Sequence, residues 1–265
     1  MVTVRNLSST NYVRIVERTL IPSEAVMLFG LPDVGLVGVI AASHIISELE
    51  LEEVAYMDTD LLPPMIVLHK GTPHMPLRIF GNEKILLAVS EVALPADAIH
   101  RIMRFLVEWG KQKNVKIMIP MGGIPTPNRQ ELVEPKVFAV ASTPQLVGWL
   151  EGKNEWQGRK LDKPFEILRE GYMVGPYALV LQYCMQQNIP AVSLLAQAFY
   201  NYPDPQAAAM VLKELSRVIE IGIDISQLLE KGEEIRLKAR DIMKRTEREL
   251  TKMRKAQEYD IPLYV

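Results

Sequence analysis

Between Gly171 and Pro203 the chain carries no charged residue. Lys, Arg, Asp and Glu are rarely buried unless paired, so a long stretch without them marks chain that runs through an interior. A membrane-spanning helix needs about 20 predominantly apolar residues in a row. Here Pro176 and Pro190 interrupt the run, and Gln182, Gln186, Gln187 and Asn188 cluster ahead of the second proline. The stretch therefore reads as a buried helix from Tyr177 to Gln187, a polar turn, and a buried strand from Ala191 to Leu195. No membrane partner is expected.

The same alternation recurs along the chain. Ala25 to Phe29 is a short apolar run closed by Gly30, which reads as a buried strand. Gly35 to Leu49 reads as a helix with Asp33 as its N-cap. Val54 to Met57 and Met65 to Leu68 read as short strands, and Leu77 to Phe80 with Ile85 to Val89 as a hairpin around Gly81-Asn82. Asp97 to Lys113 places Ile99, Ile102, Met103, Leu106 and Val107 at helical spacing. Val115 to Pro120 reads as a strand running into an irregular turn at Met121-Gly-Gly123. Val137 to Ala141 reads as a strand and Thr143 to Leu150 as a helix. Glu151 to Phe165 reads as an exposed insertion, and the first 24 residues as chain that pairs at a sheet edge. Helices follow over Asp204 to Gly222 and Ile225 to Gln257. Strands alternating with helices predict an α/β fold: a single domain over residues 1–224 with a central mixed β-sheet flanked by helices, then a C-terminal helical arm over 225–265.

Composition narrows the function classes. The 265 residues are 48% apolar, enough for a full core without staples. With 30 Lys and Arg against 32 Asp and Glu, the formal net charge is −2, so no global basic field would draw nucleic acid. Cys184 is the single cysteine, which excludes an internal disulfide and any multi-cysteine metal site. A reducing cytoplasm fits that usage, and Met1-Val-Thr-Val-Arg-Asn lacks the pattern of a signal peptide.

Gly30-Leu-Pro-Asp-Val-Gly35-Leu-Val-Gly38 lies between a strand and a helix, where free amides can hold an anion. It lacks both the lysine of a P-loop and the spacing of a dinucleotide fingerprint. Gly30, Gly35, Gly38, Gly122 and Gly123 are thus candidate ligand-binding positions, with tight packing of chain segments as the alternative. The histidines His44, His69, His74 and His100 lack metal-ligand spacing. Asp58 and Asp60 share a strand face and could hold Mg²⁺ or simply be solvated. Cys184, inside an apolar helix, reads as a small buried hydrophobe. No catalytic residue and no cofactor are nominated.

The C-terminal segment is dense in charge, with ten basic and seven acidic residues from Glu230 to Glu258. Leu228, Ile235, Ile242, Leu250 and Met253 form a narrow apolar stripe that suits packing on the domain or on a second subunit. Asp260-Ile-Pro262 ends the helix. The sequence then finishes Leu263-Tyr264-Val265, a hydrophobic–tyrosine–any-residue tail. A rigid ring with a polar tip beside a carboxylate suits a pocket carrying a lysine or arginine.

Taken together, the two glycine segments, Gly171-Tyr-Met-Val-Gly175, and Tyr202-Pro-Asp-Pro205 leading into Ala207-Ala-Ala-Met-Val-Leu212 resemble the PAC2 family of proteasome assembly chaperone-like proteins. The resemblance spans residues 20 to 235 and is nearest to the archaeal members. It implies a nucleoside-phosphorylase-like α/β fold, homo-oligomers, and possible pairing with another family member. It also implies docking of Leu263, Tyr264 and Val265 between α-subunits of the 20S proteasome. Two rivals accompany it: an ATP-grasp-like or phosphorylase-like enzyme or ligand-binding protein using the glycine loops, and an oligomeric scaffold whose tail packs internally.

Overall fold

The computed structural model describes residues 12–200 and 202–237. In chain order the strands are β1 (Val13–Glu17), β2 (Val26–Gly30), β3 (Glu52–Thr59), β4 (Val67–His69), β5 (Thr72–His74), β6 (Leu77–Gly81), β7 (Ile85–Ser90), β8 (Ile117–Pro125), β9 (Val137–Ala141), β10 (Glu166–Ile167) and β11 (Val192–Ala198). The helices are α1 (Val37–Glu48), α2 (Ile99–Gln112), α3 (Pro144–Leu150), α4 (Pro176–Gln187), α5 (Pro205–Ile219) and α6 (Ser226–Glu230). Among the described residues nine strands make one mixed sheet in the order β1-β3-β6-β7-β2-β8-β11-β9-β10, and β4 pairs with β5 alone.

The centre of the sheet is parallel: β7, β2, β8 and β11 run in one direction. Central parallel strands are covered on both faces, so they read as continuous apolar runs, and β7 (ILLAVS) is buried at every position. Strand alternation sends neighbours to opposite sides. Leu28, Leu87, Ile119 and Leu194 join α1 and α5 in one core. Met27, Phe29, Leu86 and Met118 join α2 and α4 in the other. The uncharged stretch from Gly171 to Pro203 becomes α4 and β11, as its composition requires.

Local signals account for several boundaries. Asn82 turns the β6–β7 hairpin by accepting the amides of Lys84 at 2.9 Å and Ile85 at 3.0 Å through Oδ1. Thr143 caps α3 by accepting the Leu146 amide at 3.3 Å. Asp204 caps α5 by accepting the Ala207 amide at 3.0 Å, with Pro205 in the first turn. At the sheet edge β1 pairs antiparallel with β3.

Three expectations are corrected or narrowed. Met121-Gly-Gly123 is not a turn: β8 continues through it to Pro125 and pairs with β11 there. The segment 151–165 is exposed over much of its length, as expected, but is tied down rather than free, because Leu161 and Phe165 are buried and the Trp156 ring packs 5.1 Å from the Trp149 ring. Its polar composition hid three well-spaced apolar anchors. The helix expected from Gly35 begins at Val37, after a 3-10 turn over Val34–Leu36 in which Gly35 adopts φ +65°.

The expected C-terminal arm starts with α6, whose Leu228 is buried in the α1–α5 core. Helical backbone continues over 232–237, and Ile235 packs against that same core. Ile242, Leu250, Met253 and the tail Leu263-Tyr264-Val265 lie outside the described residues. No helix among the described residues is long and apolar enough to cross a membrane.

Candidate functional site

The loops and strand ends beyond β2, β8 and β11 meet at one end of the sheet, the side on which open α/β sheets commonly bind ligands. Both glycine segments meet there, although more than 80 residues separate them in sequence. What they meet is the protein's own side chains. Asp33 accepts the Gly38 amide on Oδ1 at 3.1 Å and the Gly123 amide on Oδ2 at 2.6 Å. The chain's own carboxyl group thus takes one amide from the first turn of α1, where an anion could otherwise bind, and one from strand β8.

Tyr177 packs onto the loop after β2 from α4. Its hydroxyl donates to the Leu31 carbonyl at 2.8 Å and accepts the Leu31 amide at 2.8 Å. The glycines let these groups approach. A Cβ on Gly38 would lie 2.1 Å from the Tyr177 hydroxyl. One on Gly122 would lie 2.5 Å from the Tyr177 ring and 2.6 Å from Asp33 Oδ2, and one on Gly123 would lie 2.4 Å from the Val34 carbonyl oxygen. Gly30 is held in the same way, with 2.3 Å to the Ala42 Cβ. Gly35 is required by its backbone, since positive φ is strained for other residues.

Burial raises the Asp33 carboxyl well above the usual aspartate range, while the two amides pull it part of the way back. Asp33 keeps some exposed surface as a residue, but its carboxyl points inward. The Tyr177 hydroxyl is also pushed well above its ordinary value, first by burial and then by the Asp33 charge.

A buried ion pair braces the other side. Arg129 Nε lies 2.8 Å from Asp204 Oδ2, and Nη2 donates to Oδ1 at 3.1 Å. Arg129 is 2% exposed and Asp204 0%, so both charges sit away from water. Arg129 also donates to the Leu132 carbonyl at 3.1 Å and to Gln206 Oε1 at 2.9 Å, and its guanidinium lies 5.1 Å from the Phe199 ring centroid. The Asp204 amide donates to the Gly35 carbonyl at 2.8 Å. Asp204 thereby ties the end of β11, the start of α5 and the turn before α1 into one unit. Sequence patterning picked out Asp33 and Asp204 only as residues at helix starts. Tyr177 and Arg129 carry no local signal, because their partners are remote.

The remaining polar candidates have structural partners. His44 Nε2 lies 2.6 Å from the Asp224 carbonyl, and His100 Nδ1 3.1 Å from the Tyr183 hydroxyl. Asp58 accepts from Arg14 Nε at 2.7 Å and from the Tyr12 hydroxyl at 2.8 Å. Among the described residues no group of three or more His, Cys, Asp or Glu is arranged to hold a metal ion. Cys184 is buried beside Met118, with its sulfur 3.5 Å from the thioether, and burial pushes its thiol up to about 12.

Comparison with known proteins places this architecture. The chain is 27% identical over 254 residues to the uncharacterized protein MJ0106 of Methanocaldococcus jannaschii, covering 96% of this chain and 98% of the relative. Its structure matches that of Pyrococcus furiosus PbaA, an archaeal homologue of proteasome-assembly chaperone, with a TM-score of 0.77 and 25% identity. That match covers 89% of this chain and 99% of PbaA. Pyrococcus furiosus PbaB, an archaeal proteasome activator, shares the fold at a TM-score of 0.71 and 20% identity, over 87% of this chain and 98% of PbaB. The PAC2 family model matches residues 27–243, and the chain belongs to the PAC2 family.

Proposed function

We propose that this protein acts in proteasome assembly, as a non-enzymatic chaperone or ATP-independent adaptor that engages the 20S α-ring. The observation that carries the reading is the match to PbaA over nearly the whole of both chains. The packing around Asp33 supports a non-enzymatic role in one respect: Asp33 takes the Gly38 and Gly123 amides for internal bracing. A small-ligand role for Gly30, Gly35, Gly38, Gly122 and Gly123 is the weaker reading for the same reason.

In this proposal the contact is the tail. Tyr264 supplies a buried ring, Leu263 adds apolar area, and the Val265 carboxylate pairs with a lysine or arginine of the α-subunit. Each tail is a small ligand, so useful affinity calls for several tails on one homo-oligomer, or on an oligomer shared with another family member. The test is surface plasmon resonance against assembled 20S particles and against isolated α-rings. Tyr264→Ala should weaken binding about thirtyfold, the loss of roughly 2 kcal/mol per hot spot. One residue added after Val265 should act similarly by displacing the carboxylate. Unchanged binding by both variants rejects the docking tail. A changed oligomer mass instead would assign the tail to an internal clasp.

A further inference from the structure

The uncharged stretch from Gly171 to Pro203 supplies α4 and β11, yet it begins and ends in loops that face water. Tyr172 is 99% exposed and Val174 86% in the loop before α4, and Tyr200 is 69% and Tyr202 54% in the loop after β11. Both loops lie at the end of the sheet where β2, β8 and β11 finish. β11 runs directly into the second loop, and Tyr177, at the start of α4, reaches Leu31 just past β2. Val133, 88% exposed, stands on the connection that leaves β8 at that same end. Charge is thus missing where nothing in the isolated chain requires its absence.

These loops are anchored. Between Tyr172 and Val174, Met173 packs against the α2–α4 core. Phe199 meets Tyr202 edge-on at 6.5 Å between ring centroids, and its amide donates to Asp204 Oδ2 at 3.3 Å. A surface already ordered loses little freedom when it is covered. At about 150–250 Å² for a fully covered aromatic side chain, the three tyrosines alone offer roughly 300–550 Å². That is a large part of the ~800 Å² that each partner contributes to a stable interface.

The chemistry of this surface selects its partner. Glu134, Lys136 and Arg169 flank it in sequence and pair within the chain to Lys213, Glu166 and Glu151. What is offered is therefore apolar area and tyrosine hydroxyls rather than net charge of one sign. A charge-poor, aromatic surface of equal size is its complement, and a second copy of the chain carries one. The route to the tail leaves from the same place. The Arg236 guanidinium lies 5.8 Å from the Phe199 ring centroid, and residues 238–265 follow directly.

We propose that the end of the sheet carrying Tyr172, Val174, Tyr200 and Tyr202 is the surface on which a second copy of this chain docks. Joining copies there sets the roots of two C-terminal segments beside the contact, so that two tails leave the oligomer near one another. Neighbouring tails gain from effective concentration. That use of the contact rests on the docking-tail reading, whereas the contact itself does not depend on what the tail binds.

Sedimentation velocity of the full chain at micromolar concentration tests this and should give a mass of at least two chains. Tyr172→Ser with Val174→Ser alters side chains that stand in solvent, so the fold should persist by circular dichroism while dissociation rises about thirtyfold or more. Leu20→Ser is the control. Leu20 is as exposed, but β1 delivers it to the opposite end of the sheet, and its loss should leave association unaltered. Hydroxyl-radical footprinting of the unaltered protein gives a second reading. Modification of Tyr172 and Tyr200 should fall several-fold from dilute to concentrated samples, while Met185, exposed in the last turns of α4, stays constant. A monomer at every concentration overturns the contact, as does association that survives the double variant. Tyrosines equally reactive at all concentrations overturn it too, and tyrosines protected even in the monomer assign the surface to the chain's own residues 238–265 instead. An oligomer that does not bind 20S particles would keep this contact and remove the docking tail, and a monomer that binds them would do the reverse.

Discussion

The Asp33 carboxylate accepts the Gly123 amide at 2.6 Å, joining the loop after β2 to the body of β8 across 90 residues of sequence. Asp33 also accepts the Gly38 amide, so one side chain fastens a strand, a loop and a helix start. This end of the α/β sheet is thereby braced from within by the chain's own carboxyl group.

The contact between Gly38 and Tyr177 makes the first prediction. Gly38→Ala sets a methyl 2.1 Å from the Tyr177 hydroxyl and 2.4 Å from the Met121 carbonyl oxygen, and should cost about 1–3 kcal/mol or somewhat more. Tyr177→Phe strands both polar groups of Leu31 and should cost about 1–3 kcal/mol. In the double variant the hydroxyl that meets the methyl is gone. Its loss should be smaller than the two single losses combined, read from urea unfolding midpoints.

Asp33→Asn concerns pH. Burial raises the native Asp33 carboxyl, so the folded state holds its proton to higher pH than the unfolded state does. The stability this contributes is full below the ordinary aspartate range and is lost as pH rises through the native value. The asparagine variant lacks that titration. The stability difference between unaltered protein and variant should therefore be most favourable to the unaltered protein in acid and shrink as pH rises from about 4 toward neutrality. Urea titrations of both proteins across that range would show it. A difference that grows with pH would contradict the assignment.

Removing Arg129 alone leaves the Asp204 carboxylate buried without its cation. Arg129→Met should cost about 3–5 kcal/mol. Replacing both partners together, Arg129→Met with Asp204→Leu, removes the stranded charge but also the cap of α5 and the acceptor for Phe199. The double variant should recover part of the loss and stop short of the original stability. Denaturant unfolding of the four proteins in the cycle measures the coupling.

Cys184 should be inert in the folded protein. Its buried thiol is raised to about 12, so almost no thiolate exists near neutral pH. Labelling by a soluble thiol reagent at about pH 8 should proceed at the rate of unfolding and become complete in denaturant. Fast labelling of the native protein would place the thiol at the surface.

Several features were determined locally and were legible without coordinates. The uncharged stretch from Gly171 to Pro203 had to be buried, and the prolines and glutamines within it separated α4 from β11. Apolar runs closed by Gly30 and Gly81 announced β2 and β6, and the spacing of Ile102, Met103 and Leu106 announced the buried face of α2. These signals are periodicities and turn preferences, which depend on residues a few positions apart. What the tertiary structure decided depends on residues that meet from far away. Gly122 and Gly123 read as a turn, because glycine before proline is turn-like in isolation, yet they are strand residues kept bare for Tyr177 and Val34. Asp33 read as a helix cap, and only the arrival of β8 gave its second oxygen the Gly123 amide. Arg129 and Asp204, 75 residues apart, became a pair because the loops after β8 and β11 close over the same end of the sheet. A buried charge or a missing Cβ is explained by its neighbours in space, and those neighbours exist only once the sheet order has been set.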